Sequence, residues 1–362
     1  MNLNIIKKVE NGVGWLTFNR ADKLNALSVQ MINELFEIFK SWKNDDQIKL
    51  IVLEGAGEKA FCVGGDVRHL YDHRDKGVDE VAFNFFYTEY RMNMLIHTFS
   101  KPILVYMNGL VMGGGVGVAV AGTHRIVTEN TKWAMPEMNI GFYPDVGGSY
   151  FFNKMPHHIG RYLALTSFVI KAADVLYSGA ADYYMSSSEW QKLRAAISEC
   201  DWANANVVQD LEAKVSEYVS PCPEPAPLED LAHDIESHFG QNSLESIVNS
   251  LEVAAESGDS WAGETAKSIL SKSPTSLKVT LEQLVRGEKL AIRDCLIMEL
   301  NMSMNFMNSN DFFEGVSSVL VNKHRNPKWV PNTLKAVSIE DVTAFFTYDW
   351  KNAVNPLANF DI

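Results

Sequence analysis

The sequence predicts an α/β fold with a mainly helical C-terminal region. Three observations predict it: β-type apolar runs alternate with helical periodicity through the first half of the 362 residues, glycine-rich turns follow those runs, and helix-spaced apolar residues dominate beyond about residue 190.

The first unit reads strand, strand, helix. Residues 5–9 and 13–18 are apolar runs separated around Asn11-Gly12, the dipeptide that most readily takes positive φ, so a β-hairpin opens the chain. After Ser28, a candidate N-cap, Ile32, Leu35, Phe36, Phe39 and Trp42 recur at helical spacing. A strand over 48–53 runs into a glycine-rich loop over 55–65, and a long helix is expected over 79–97. Residues 102–107 are again β-type and end at Asn108-Gly109; the small-residue stretch 113–121 suits a closely packed helix, and 124–128 a strand. Pro221, Pro223, Pro225 and Pro227 force an extended or looped stretch, the best internal boundary. Beyond it Ser273-Pro274 reads as an N-cap with a first-turn proline, and Gly287 is placed to end that helix.

Composition bounds the function classes. Hydrophobic residues make up 46% of the chain, enough for a full-sized core. Against 32 basic residues stand 45 acidic ones, a net charge of −13 with no basic block, which disfavours nucleic-acid binding. The weakly polar run 109–122 falls short of the ~20 residues a membrane helix needs. The opening MNLNIIKKVENGVG has no apolar signal core and is not rich in Arg and Ser, so the expected address is cytoplasmic. Cys62, Cys200, Cys222 and Cys295 lack C-x-x-C spacing, which argues against disulfides or a zinc ribbon.

Four constellations could carry chemistry. Phe61-Cys62-Val63-Gly64-Gly65-Asp66 follows a strand, and its glycines let backbone approach a ligand, or simply make a turn. In Met112-Gly113-Gly114-Gly115-Val116-Gly117, bare N–H groups at a helix start can face developing negative charge; tight helix packing is the plainer explanation. These residues fit neither a G-x-G-x-x-G fingerprint nor a G-x-x-x-x-G-K-[ST] phosphate loop. Residues 135–148, MPEMNIGFYPDVGG, hold two carboxylates in an apolar, aromatic setting. Desolvation there would raise a carboxyl pKa or leave an activated base. Asp145 could instead cap a helix starting at Val146, whereas Glu137 has fewer structural uses. Finally, Glu89 sits inside the helical stripe of Ala82, Phe85, Phe86, Met92 and Ile96, an inward acid that a nearby Arg91 or Arg68 could satisfy.

Competing chemistries lack their signatures. His69 and His73 are four apart but form no H-E-x-x-H motif, so no metal is expected. Gly148-Ser149-Tyr150 is not a G-x-S-x-G elbow, and Cys62 reads as a structural thiol.

Taken together and in this order, the Gly-Gly-Asp loop, the M-G-G-G-V-G turn and the M-P-E…G-F-Y-P-D-V-G-G segment resemble the crotonase (enoyl-CoA hydratase/isomerase) superfamily. Asp22-Lys23-Leu24-Asn25-Ala26-Leu27 looks like that family's early coenzyme A-contacting segment. Residues 273–278, 311–316 and 326–329 are similar to its 3-hydroxyisobutyryl-CoA hydrolase branch, so the likeness covers nearly the whole chain.

The resemblance implies a crotonase spiral of β-β-α units over 1–220, holding the acyl-CoA site, with a helical region over 221–362 packed on it. It implies an oxyanion hole from the N–H groups of Val63 and Gly114, each such donor typically contributing ~3 kcal/mol to transition-state stabilisation. Gly64, Gly65, Asp66, Lys23 and Glu89 would bind substrate, and Glu137 with Asp145 would be catalytic. Family hydratases carry a first glutamate at the position of Gly117, where no acid exists here, while Asp145 stands where hydratases usually have a small residue. This pattern implies hydrolysis of a short β-hydroxyacyl-CoA, 3-hydroxyisobutyryl-CoA first, in valine breakdown. Glu137 would attack the thioester or activate water. Coenzyme A is part of the substrate, and no separate cofactor is implied. A hydratase or isomerase of the same fold and a non-catalytic binding protein are the alternatives. Relatives form trimers or trimer pairs, so a homo-oligomer is open, although the C-terminal region could cover that surface.

Overall fold

The computed structural model describes residues 3–203, 206–351 and 353–361. A hairpin opens it: β1 (Ile5–Glu10) pairs antiparallel with β2 (Val13–Phe18), and Asn11 (φ 49°) and Gly12 (φ 82°) both take the positive φ that a tight hairpin turn demands. Ser28 caps the helix Val29–Lys43, its hydroxyl accepting the Met31 N–H. There follow β3 (Leu50–Gly55), β4 (Ala60–Cys62), β5 (Ile103–Met107), β6 (Leu110–Met112), β7 (His124–Val127), β8 (Lys132–Ala134), β9 (Ile170–Lys171) and β10 (Tyr183–Tyr184).

Two sheets share these strands, in the orders β1-β2-β3-β5-β7-β10 and β4-β6-β8-β9. Each consecutive pair, β3 with β4, β5 with β6 and β7 with β8, gives one strand to each sheet and pairs in parallel with the pair before it. The repeat of that step is the expected spiral of β-β-α units. Strand alternation then separates two cores. Leu16, Ile51, Leu53, Ile103 and Val105 face the main core, while Trp15, Leu50, Val52, Leu104 and Tyr106 face a second one closed by the helices Trp190–Glu199 and Val207–Ser216. The main core runs from Ile5 to Leu357 and so includes residues on both sides of the proline-rich stretch.

Several local expectations need correction. The segment read as one glycine-rich loop contains β4, because Ala60, Phe61 and Cys62 are all buried and pair with β6. The helix Val67–Asp72 follows it directly, and the long helix runs Val78–His97. Ser273 caps Pro274–Gly287 as expected, accepting the Ser276 N–H, but Gly287 has another reason to be glycine. A Cβ there would lie 2.4 Å from the Ser149 carbonyl oxygen, so close packing requires it.

Candidate active site

Three turns meet around one cavity of about 360 Å³. The first follows β4 and carries Val63, Gly64, Gly65 and Asp66; the second follows β6 and carries Gly113 and Gly114; the third is the short turn Glu137–Ile140 with the segment through Val146. Into the same space the helix Val78–His97 sends Phe85, Phe86 and Glu89.

Glycine is what lets these turns touch. A Cβ on Gly64 (φ 92°) would stand 2.9 Å from the Gly114 nitrogen, one on Gly113 (φ 52°) 2.7 Å from Glu137 Oε1, and one on Gly114 2.6 Å from Glu89 Oε1. Two acids therefore lie directly against the backbone that carries the candidate oxyanion donors. Gly114 begins the helix Gly114–Ala119, so no intrahelical acceptor claims its N–H.

The cavity gathers Val63, Gly64, Gly65, Asp66, Glu89, Gly114, Glu137 and Asp145, eight of the residues that the sequence singles out. Lys23 is not among its walls; it sits exposed on the Ala21–Lys23 turn, whose continuation brings Ala26 to the mouth. Asn25 fastens that turn, its amide donating to the Ala56 and Ala60 carbonyls. The mouth is completed by Arg68, Val319 and Leu320, and an adjoining pocket shares Asn139 and Val319 and holds Lys272, Arg325 and Trp329. Lys272 donates to Asn139 Oδ1 at 2.7 Å, and burial holds its pKa below the usual lysine value. This acidic chain thus concentrates cationic groups beside the cavity mouth.

Two structural alternatives for the acids do not hold. Asp145 caps no helix: the next one starts at Gly148, and Asp145 Oδ2 instead accepts the Tyr90 hydroxyl at 2.7 Å. Glu89 finds no arginine either. The Arg91 guanidinium lies over the rings of Phe36 and Tyr87, both at 4.6 Å, and Arg68 pairs with Asp72 on the surface, so Glu89 Oε1 has no hydrogen-bond partner. Oε2 of Glu137 is equally unpartnered.

Three buried carboxyls facing one cavity cannot all ionise. Burial pushes Glu89 and Glu137 well above the ordinary carboxylate range, and the Asp145 charge adds to both. Asp145 is raised by burial to about 7, with the Tyr90 hydrogen bond pulling the other way. Among the described residues no cation pairs with any of the three, Arg68 at the mouth being paired with Asp72. Near neutral pH the cavity therefore holds protons as well as charge, the condition under which one acid can give a proton while another takes one.

Sequence reasoning missed the supporting layer. Tyr90 also meets Ser303 Oγ at 2.6 Å, Tyr143 meets the same oxygen at 2.7 Å, and the Tyr143 hydroxyl donates to the Glu299 carbonyl at 2.7 Å. The Glu299 carboxylate accepts from the Gly147 and Ser149 N–H groups and the Ser149 hydroxyl, capping the helix Gly148–Phe151. Glu299 and Ser303 stand one turn apart on the helix Ile292–Phe306, so the C-terminal region holds the Asp145 loop in position. Another C-terminal element presses on the Glu137 turn, where a Cβ on Gly315 would meet the Ile140 carbonyl carbon at 2.2 Å.

Known proteins resemble this chain along nearly its whole length. The sequence profile of the family described as Enoyl-CoA hydratase/isomerase matches residues 13–346. The chain is 37% identical to the mitochondrial 3-hydroxyisobutyryl-CoA hydrolase of Gallus gallus, over 99% of this chain and 90% of that protein, and 38% identical to that of Homo sapiens over 92% and 86%. Among solved structures it is similar to a carnitinyl-CoA dehydratase from Mycobacterium thermoresistibile (TM-score 0.87, 35% identity, 96% of this chain and 97% of that one). An enoyl-CoA hydratase from Rhodobacter sphaeroides 2.4.1 gives 0.85 and 32%, over 95% and 97%.

Proposed function

Because the chain belongs to the enoyl-CoA hydratase/isomerase family, we propose that it hydrolyses the thioester of a short β-hydroxyacyl-CoA, 3-hydroxyisobutyryl-CoA first among them. One observation carries the reading: the Glu137 carboxyl lies against Gly113, the residue before Gly114, with one oxygen unpartnered in a cavity that Val63 and Gly114 also line.

In this reading the thioester carbonyl sits between the Val63 and Gly114 N–H groups, which stabilise the negative charge that grows on its oxygen. Asp145, the most easily ionised of the three acids, receives the proton of Glu137 as substrate enters. Glu137 then acts on the carbonyl carbon, either attacking it to form an acyl anhydride that water hydrolyses or drawing a proton from the water that attacks, and the proton held by Asp145 goes to the sulfur, which leaves as the thiol of coenzyme A. Glu89 and Asp145 are spaced along the wall to receive a 3-hydroxyl group. Lys272, Arg325 and Arg68 supply local positive charge for the phosphates of coenzyme A despite the net charge of −13. Valine breakdown is the setting that the named activity of the relatives suggests. The names of those two relatives place them, and not this chain, in mitochondria.

A free-thiol assay across short acyl-CoA esters tests the proposal. Rapid thiol release from 3-hydroxyisobutyryl-CoA is expected. Hydration of crotonyl-CoA without thiol release from any hydroxyacyl ester would instead make the chain a hydratase, as the Rhodobacter sphaeroides structure is named.

A further inference from the structure

Tyr90 follows Glu89 on the helix Val78–His97, yet the two side chains do different work. Glu89 enters the cavity without a partner, while the Tyr90 hydroxyl, fully buried, reaches Asp145 Oδ2 at 2.7 Å. Beside the main-chain N–H of Asp145 itself, it is the donor that reaches this carboxyl among the described residues. Its direction is fixed from behind. Ser303 Oγ lies 2.6 Å from Tyr90 and 2.7 Å from Tyr143, and Tyr143 spends its own proton on the Glu299 carbonyl. A Ser303 hydroxyl that donates to the Tyr90 oxygen completes this chain and leaves the Tyr90 proton for Asp145 Oδ2.

We infer that Tyr90 is a positioning residue that puts the cavity's first negative charge on Asp145, with Ser303 and Tyr143 fixing the direction of its hydroxyl. Among the described residues the titratable groups that act on Asp145 are Glu89 and Tyr90 from one helix, Glu137 and Tyr143 from its own segment, and Glu299 from the C-terminal helix, whose Ser303 stands behind Tyr90. Arg68 lines the same cavity at its mouth but pairs with Asp72, and no other cation lines it among the described residues, so a hydroxyl is the means of favouring one acid over the other two. A hydrogen bond to a charged acceptor is strong enough for the purpose. The step rests on the hydrolase reading only in taking Asp145 as the acid that ionises before Glu137 acts.

Tyr90→Phe tests it with two readouts. The acid limb of the kcat/KM profile for thiol release should move to higher pH by about one unit, with turnover returning on the alkaline side. Independently of substrate, the carboxyl carbon of Asp145, followed by NMR in 13C-labelled protein and assigned through Asp145→Asn, should titrate at a correspondingly higher pH. A folded Tyr90→Phe whose Asp145 midpoint and acid limb stay where they were overturns the inference. If that variant does not fold, Ser303→Ala decides: a smaller upward move of the Asp145 midpoint supports the inference, and an unmoved midpoint rejects it. Absence of thiol release from the unaltered protein would sink the hydrolase reading, and the carboxyl titration would still decide the role of Tyr90.

Discussion

Val146 occupies the space beside Gly117: a Cβ built on Gly117 would lie 2.6 Å from both Cβ and Cγ2 of Val146 and 3.0 Å from its carbonyl oxygen. Val146 itself holds φ at 49°, costly for a β-branched residue, and its neighbour Asp145 faces the cavity. The space beside Gly117 is thus filled, and the chain turn that fills it also brings Asp145 to the cavity.

Two outcomes follow for Gly117. Although alanine is the better helix former, Gly117→Ala should lower stability by about 1–3 kcal/mol, because the added methyl overpacks against Val146. Urea unfolding measures it, and a variant as stable as its parent would contradict the packing argument. Gly117→Glu should gain no hydration of crotonyl-CoA, since its side chain has no room to enter the cavity.

Glu137→Gln removes the acid but keeps its volume beside Gly113. General acid–base help alone is typically worth 100-fold or more, so turnover should fall by at least ~100-fold with folding intact. Near-parent rates in steady-state thiol release would move the catalytic role to Asp145 or Glu89.

Much of this site is legible in the sequence because its parts are local. The glycines at 64, 65, 113 and 114, the two acids of the third turn and the inward Glu89 each lie within a short motif or a helical stripe, and the structure brings them to one cavity. Tyr90, Tyr143, Glu299 and Ser303 were not legible as a group. Their link crosses more than 150 residues between Tyr143 and Glu299, and a tyrosine in an apolar helix reads as core whether or not its hydroxyl has work. One signal was available: Glu299 and Ser303 are polar residues four apart on the buried face of their helix. Arg91 shows a related limit, since sequence distance does not say whether a guanidinium stacks on rings or pairs with an acid.

Glu299→Ala should be among the most damaging changes outside the cavity. It leaves the Gly147 and Ser149 N–H groups and the Ser149 hydroxyl without their acceptor in a fully buried place, on the order of 3 kcal/mol or more. Because that carboxylate also holds the turn after Asp145, kcat should drop in the fraction that stays folded. Chemical unfolding and active-site titration separate the two effects, and a variant with parent-like stability would remove Glu299 from this role.

The buried acids in and behind the cavity make stability fall as pH rises. An acid whose pKa is higher in the folded chain than in the unfolded one keeps its proton more tightly when native, so its contribution is full below the unfolded value and is lost as pH climbs through the folded one. Asp145 moves from 3.8 to about 7 and Glu299 from 4.5 to about 7, which sets the window between about 4 and 7. His97, lowered by burial to about 4, acts oppositely, its contribution being lost as pH falls from 6.5 towards 4. Asp145→Asn isolates one acid: it cannot ionise, and its side-chain oxygen can still accept from Tyr90. Relative to the parent the variant should gain stability on going from pH 4 to pH 8, by up to about 4 kcal/mol for an uncoupled group and less here, where Glu89 and Glu137 share the protons. Thermal unfolding across that range measures the difference. A difference independent of pH would mean that Asp145 ionises in the folded protein as easily as in water, and the shared-proton account of the cavity would fail.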